Sequence, residues 1–266
     1  MPVINTNMSA TLTANALTKN ERAMSQSMER LSTGLRINSA ADDAAGLAIA
    51  SKMTSQINGL NQAVRNGNDA ISMVQTADGA LVEVTNMLQR MRELTVQAAN
   101  GTNSTTDTAN LAIEYASLGD AVDGIMANTK WNGTALLAGT LSASYSIGAN
   151  GEALAVAFGG AGTGVAAATV ALNATPATSQ GLVDTAIAAV NSQRATFGAA
   201  INRLEYTVDN LTNASQNQSA SRSRIQDADY ASETTELART QIIQQAGTAM
   251  LSQANQQAQS VLALLK

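Results

Sequence analysis

ERLSTGLRINSAADDAAGLAIASKM, Glu29 to Met53, decides how the rest of the chain is read. Its first residues carry a helical pattern that breaks at Ser32-Thr33-Gly34, and a second pattern starts after Ser39. Ser39-Ala40-Ala41-Asp42 has the spacing of a helix-start box, in which a serine and an acidic residue three positions on each satisfy an unpaired backbone N–H. Asp42 and Asp43 then fall at the positive end of the new helix dipole. Ala40, Ala41, Ala44, Ala45 and Gly46 are small enough for another backbone to come close. The spacing describes a helix–loop–helix junction, with Ser39, Asp42 and Asp43 as its candidate residues.

Downstream of the junction lies the longest regular signal. Ile57, Leu60, Val64, Gly67, Ile71, Val74, Ala77, Leu81, Val84, Leu88, Met91, Leu94 and Ala98 advance only by threes and fours, a coiled-coil-like seam. A helix from Ala44 to Ala99 spans roughly 80 Å at about 1.5 Å per residue. Such a rod cannot bury its face alone. Asn100-Gly101 ends it, and the polar run Thr102 to Thr108 makes a turn. Leu111, Tyr115, Leu118, Val122 and Ile125 mark a second, shorter helix.

The middle of the chain changes period. Tyr145 and Ile147, then Leu154, Val156 and Phe158, alternate with small or polar residues on either side of Asn150-Gly151, which predicts a β-hairpin. Gly159 to Ala168 reads as a loop, with a short strand at Thr169 to Leu172. Helical stepping returns near Gln180 through Ile187, Val190, Arg194, Phe197, Ile201, Leu204, Val208 and Leu211, the expected partner of the long rod. From Thr212 to Arg224 the large apolar residues vanish, yet no Pro or Gly stops the helix. That segment is expected to pack only through Ala214 and Ala220.

The two ends share a peculiarity. No charge occurs between Met1 and Thr18, or between Thr240 and Leu265. Ile4, Met8, Leu12, Ala16, Met24, Met28 and Leu31 make one stripe, with a doubled step across Asn20. Ile242, Ile243, Ala246, Ala249, Met250, Ala254, Ala258, Val261, Leu262 and Leu265 make another. Uncharged polar side chains can be buried at lower cost than ions. Two such helices suggest termini that pair and are then enclosed by copies of themselves. Their candidate assembly residues are Ile4, Met8, Leu12, Ile242, Ala246, Met250, Ala254, Val261, Leu262 and Leu265.

Composition narrows the chemistry. The chain has 266 residues, 45% hydrophobic but only 3% aromatic, so its core is aliphatic. Cys and His are both absent, which removes thiol nucleophiles, disulfides, Ser-His-Asp triads and His-based zinc sites. The glycines at 159, 160, 162 and 164 form no phosphate loop. A net charge of −5 with scattered basic residues offers no nucleic-acid surface. No run reaches about 18 apolar residues, so membrane insertion is not expected. The first basic residue is Lys19, so no basic n-region of a cleaved signal peptide is expected. Neither an enzyme nor a bound cofactor is expected.

ERLSTGLRINSAADDAAG, with LQRMRELTVQAAN at 88–100, SRIQDADYA at 223–231 and QQAGTAMLSQANQ at 244–256, closely resembles bacterial flagellin. The resemblance covers roughly 1–139 and 180–266. It implies a mainly α fold of long antiparallel coiled-coil-like helices with a small β-hairpin region in the middle, here a reduced variable segment at 140–178. Lys130-Trp131-Asn132-Gly133 resembles the family's entry into that region. The implied domains are a filament core of paired terminal helices, 1–42 with 228–266, and a helical-rod shell, 43–227. The junction connects those layers.

The function implied is a structural subunit that self-assembles into the flagellar filament for motility. It is extracellular, and exported unfolded by a type III apparatus without a cleaved signal peptide. Implied partners are the homopolymer itself, a flagellar export chaperone, the filament cap and hook–filament junction proteins, and host innate immune receptors. Gln89, Arg90, Leu94 and Glu114 match positions by which similar flagellins engage a Toll-like receptor. Leu262, Leu264 and Leu265 match leucines read by cytosolic inflammasome receptors. A hook–filament junction protein shares the terminal design, and a soluble secreted coiled-coil effector is a further alternative. The effector would not need charge-free helices at both ends.

Overall fold

The computed structural model describes residues 7–139, 141–148, 151–159, 165–166, 172 and 176–263, with backbone alone at 177 and 257–263. Five long helices carry the chain: α1 Met8–Thr33, α2 Ala44–Ala98, α3 Thr105–Asn128, α4 Pro176–Gln226 and α5 Tyr230–Ala263. Among the described residues between α3 and α4 are four short strands, β1 Lys130–Trp131, β2 Thr134–Ala135, β3 Ser142–Ser146 and β4 Ala153–Ala157. The architecture is mainly α with a small β region, as the sequence patterns predict. Two compact units divide it. A terminal unit runs to Ser55 and resumes at Asn217, and a central unit comprises Gln56–Gln216.

The central unit holds the apolar core. Along α2 the expected seam is buried: Ile57, Leu60, Val74, Leu81, Val84, Leu88, Met91 and Leu94 are closed to solvent. Toward the start of the seam, Ala63 and Ala70 take the inner positions and leave Val64 and Ile71 half-buried. Facing them are Val190, Phe197 and Leu204 of α4, with Tyr115 and Val122 of α3. Each such side chain stabilises the fold by about 1.5–3 kcal/mol, so this unit is well anchored without many aromatics. Ion pairs Arg92–Asp184 at 2.6 Å and Arg194–Asp78 at 3.0 Å flank the α2–α4 contact.

Local chemistry explains where elements start and turn. Ser104 caps α3: its Oγ accepts from Asp107 N at 3.2 Å, while the Asp107 carboxylate accepts from Ser104 N at 3.0 Å. The helix therefore starts inside the polar run read as a turn. Asn132 and Gly133, at φ 48° and 82°, supply the left-handed pair that a two-residue hairpin between β1 and β2 requires. In the next hairpin Tyr145 lies opposite Leu154, and Gly151 takes φ 91°.

That hairpin is held onto the helices. Phe158 stacks obliquely on Phe197 with centroids 5.2 Å apart, and Gln193 Nε2 donates to the Ala157 carbonyl at 2.7 Å. The Tyr145 hydroxyl donates to Met73 Sδ, and burial pushes its pKa up to about 12.

Three expectations need correction or fall away. Residues 212–224 stay helical, but they pack through buried Ser215, whose Oγ donates to Asn61 Oδ1 at 2.8 Å. Ala214 is half-buried and Ala220 is exposed, because the helix turns Ser215 rather than Ala220 inward. In the segment read as a loop, Val165 and Ala166 are helical and Val165 is buried. The short strand expected at 169–172 lies outside the described residues except Leu172, which has no regular structure.

Candidate functional site

The junction is a backbone clasp. Gly34 ends α1 in the left-handed conformation, at φ 71°, with its N–H on the Arg30 carbonyl. The next residues lie antiparallel to the segment joining α4 and α5. Ala228 N donates to Gly34 O at 2.9 Å, and Arg36 N donates to Gln226 O at 2.7 Å. The Arg36 guanidinium adds a bond to the Ile225 carbonyl at 2.7 Å, answering an unpaired C=O at the end of α4.

Ser39 and Asp42 act one turn earlier than the box spacing predicts. The Asp42 carboxylate accepts from Ser39 N at 2.9 Å and from Asn38 N at 3.2 Å, and these bonds hold its pKa below the ordinary carboxylate value. Ser39 Oγ also donates to Asp42, so the pair closes a turn instead of starting the helix. The cap of α2 is Asp43, whose Oδ1 accepts from Gly46 N at 2.9 Å. Gly46 leaves room there: a β-carbon would crowd the Asp43 carboxylate and lie 2.6 Å from Ile37 Cδ1, so both side-chain ends would have to shift.

α1 and α5 pair antiparallel, and the pairing face is not the predicted stripe. Asn7 and residues 10, 17, 20, 24, 27 and 31 of α1, with 233, 237, 240, 244, 247, 251 and 254 of α5, are turned from solvent, and 13, 23, 30 and 236 border them. Steps alternating three and four stay on one face of a helix at about 100° per residue. A run of fours advances by about 40° each time, so Met8, Leu12, Ala16, Asn20, Met24 and Met28 wind around α1. Met8 (59% exposed), Leu12 (66%) and Met28 therefore point outward, while Asn20 is buried. Ile242 (66%), Ile243, Ala246 and Met250 (63%) point outward from α5. Ala254 does not; it is half-buried on the pairing face, its carbonyl accepting from Asn7 Nδ2 at 3.1 Å. Ile4 and Leu265 lie outside the described residues, as do Leu264 and the side chains of Val261 and Leu262.

Polar contacts occupy much of that face. Asn20 Nδ2 donates to the Thr240 carbonyl at 2.8 Å and to Gln244 Oε1 at 3.2 Å. Arg30 pairs with Glu233 at 2.9 Å, and Leu17 packs into the space left by Gly247. The sequence reading missed these residues, although the doubled step across Asn20 was a signal for one of them.

On the central unit, Gln89, Arg90 and Glu114 share an exposed surface. Arg90 Nε and Nη2 both reach Glu114 Oε1, at 3.1 and 2.8 Å, and Nη1 reaches Glu93. Leu94 is fully buried in the α2 seam. It supports that surface from beneath and offers no apolar anchor to a partner.

Residues 4–142 match the family model of the bacterial flagellin N-terminal helical region, and 181–265 that of the C-terminal helical region. A flagellin of Halalkalibacterium halodurans is 46% identical over 248 residues, 91% of each chain. Flagellin of Bacillus subtilis is 42% identical over 302 residues, 99% of each chain. A flagellar filament 33 kDa core protein of Treponema phagedenis is 42% identical across 99% of this chain and all of its own. Among solved structures, Bacillus cereus flagellin matches with a TM-score of 0.50 at 36% identity, over 59% of this chain and 94% of that one.

Long helices with apolar faces left open at both chain ends define a filament-forming structural protein. Its matches run nearly the whole length of the chain. The chain belongs to the bacterial flagellin family, whose members form the extracellular flagellar filament, and it is a structural subunit of that homopolymer. Among the described residues no helix is long and apolar enough to cross a membrane.

Proposed function

We propose that the terminal helix pair, 1–42 with 228–266, forms the filament core through its outward faces, and that 43–227 forms the surrounding shell. The observation that carries this reading is the exposure of Met8 and Leu12, in a stretch without charge up to Thr18, and of Ile242 and Met250, in one without charge from Thr240 to Leu265. Isolated helices with that surface lose solubility, whereas neighbouring copies would cover it. Subunits add head-to-tail, since heterologous contacts need not close into a ring. The role is mechanical and no reaction is catalysed. Export proceeds without a cleaved signal peptide, with a flagellar chaperone masking the α5 stripe until transit. The cap and the hook–filament junction proteins meet the same faces at the two ends of the filament. Gln89, Arg90 and Glu114 present a charged surface to an innate immune receptor. Electron microscopy after salt-induced assembly of the purified chain tests the core of this reading: tubes are expected, and a chain that stays monomeric under every precipitating salt would overturn it.

A further inference from the structure

Each terminal helix carries apolar side chains on two faces. The face turned toward its partner holds half-buried Leu17, Met24 and Leu31 of α1 and Leu237 and Leu251 of α5, interrupted by buried Asn20, Ser27 and Thr240. The face turned to solvent carries Met8, Leu12, Ile242 and Met250. Apolar burial alone therefore leaves two arrangements open, the observed one and one with these outward greasy faces together inside one subunit. The clasp at Gly34, Arg36, Gln226 and Ala228 fixes where along their length α1 and α5 meet, but hydrogen bonds at one end do not set rotation further along the helices.

We propose that the Asn20 rung, with Thr240 and Gln244, is the specificity determinant that decides which faces of α1 and α5 meet. A buried amide must keep its partners, because leaving it unpaired is costly, and in paired helices a buried Asn can specify a single arrangement at some expense of stability. In the observed facing, Asn20 Nδ2 has two acceptors on α5, and Gln244 Nε2 donates in turn to Glu21 at 3.0 Å. With the greasy faces together these bonds are lost. The rung thereby holds the apolar faces outward, where other copies reach them; this last step rests on the assembly role proposed above.

The chain has no cysteine, so two introduced thiols report facing without background. Leu17→Cys with Gly247→Cys reads the observed facing, and Leu12→Cys with Met250→Cys reads the reversed one. In the full-length chain under non-assembling conditions, only the first pair should cross-link. After Asn20→Leu with Gln244→Leu, the second pair should cross-link as well, and the critical concentration for polymerisation should rise about tenfold. Asn20→Gln keeps an amide donor and should retain the first pattern. The central unit's melting transition serves as the folding control. Persistence of the first cross-link alone in the double leucine variant overturns the proposal. Scrambled cross-links with unchanged polymerisation would uphold it and overturn instead the assembly role of the outward faces.

Discussion

Gly67 of α2 and Val208 of α4 meet so closely that a β-carbon on Gly67 would lie 2.6 Å from Val208 Cγ2. Gly79, three turns along the same helix, has nothing within 4 Å of that position. Alanine is favoured over glycine within a helix by about 1 kcal/mol, but overpacking costs about 1–3 kcal/mol. Opposite signs are expected: Gly79→Ala should raise the melting temperature of the central unit, and Gly67→Ala should lower it. Thermal unfolding of both variants checks this, and a stabilised Gly67→Ala would show that α2 and α4 separate more easily than their contact implies.

The Asp42 turn should be sensitive to acid. Ser39 N–H, followed by Asn38 N–H, favours the ionised carboxylate and depresses its folded pKa. Its contribution is therefore fully present above the unfolded titration near pH ~4 and disappears as acid protonates the folded group. Hydrogen exchange at the amides of Asn38 and Ser39 should be faster in Asp42→Asn at neutral pH. The difference should vanish in strong acid. Equal protection of the two proteins at neutral pH would contradict this.

The terminal unit should open before the central one. Along α1 and α5 the fully buried side chains among the described residues are Asn20, Ser27 and Thr240, whereas the central unit buries Leu81, Leu88, Met91, Phe197 and Leu204. Fewer buried apolar contacts mean a lower free energy of local opening. Limited proteolysis of dilute subunits should trim both ends and leave a fragment within about 43–227, and polymerisation should protect the ends. Ends as resistant as the centre in dilute subunits would refute it.

Met250 tests the outward face directly. At 63% exposure, an aspartate there stays hydrated in the free subunit and should leave the central melting transition unchanged. Enclosed by neighbours, an unpaired charge costs about 3–5 kcal/mol per subunit. Met250→Asp should fail to polymerise while Met250→Leu polymerises normally. Normal critical concentration for the aspartate variant would remove this face from the interface.

Arg90→Ala should weaken binding to a flagellin-sensing Toll-like receptor while helicity is unchanged. Truncating an interface hot spot commonly costs more than about 2 kcal/mol, or roughly thirtyfold in affinity. Arg90→Lys should restore charge but not the planar fork that reaches Glu114 and Glu93. Unaltered binding by the folded alanine variant would show that the guanidinium serves only those two carboxylates.

The long seam from Ile57 to Ala98 was legible because alternating threes and fours keep residues on one face, and the burial of Leu81, Val84, Leu88 and Leu94 follows from it. The hairpin around Gly151 was legible from a change of period. The facing of α1 was not. Stepping by fours from Met8 to Met28 looks continuous on paper but winds around the helix, and no pattern states that the face holding Asn20 and Ser27 beside Leu17 and Met24 turns inward. Two boxes of identical spacing also parted company. Ser104 with Asp107 starts a helix, while Ser39 with Asp42 closes a turn and leaves the cap to Asp43. The difference is that the residue after Asp42 is a second aspartate, whose Oδ1 takes the Gly46 N–H, and the shared spacing does not record that.

The clasp between residues 34–36 and 226–228 has a mechanical consequence. Its two shortest bonds, Ala228 to Gly34 and Arg36 to Gln226, are made by main-chain atoms of antiparallel segments, and Ile37 N adds a longer one to Gln226 O at 3.4 Å. A force drawn along those segments loads both bonds at once, in shear, instead of opening them one after the other as a zipper does. Because side chains take no part in these main-chain bonds, exchanging exposed Asp227 should leave them in place. Proline at 36 or 228 would remove the donor of one of its two short bonds. A rotating propeller built from such subunits would thus carry torque through bonds that mutation of surface side chains leaves intact.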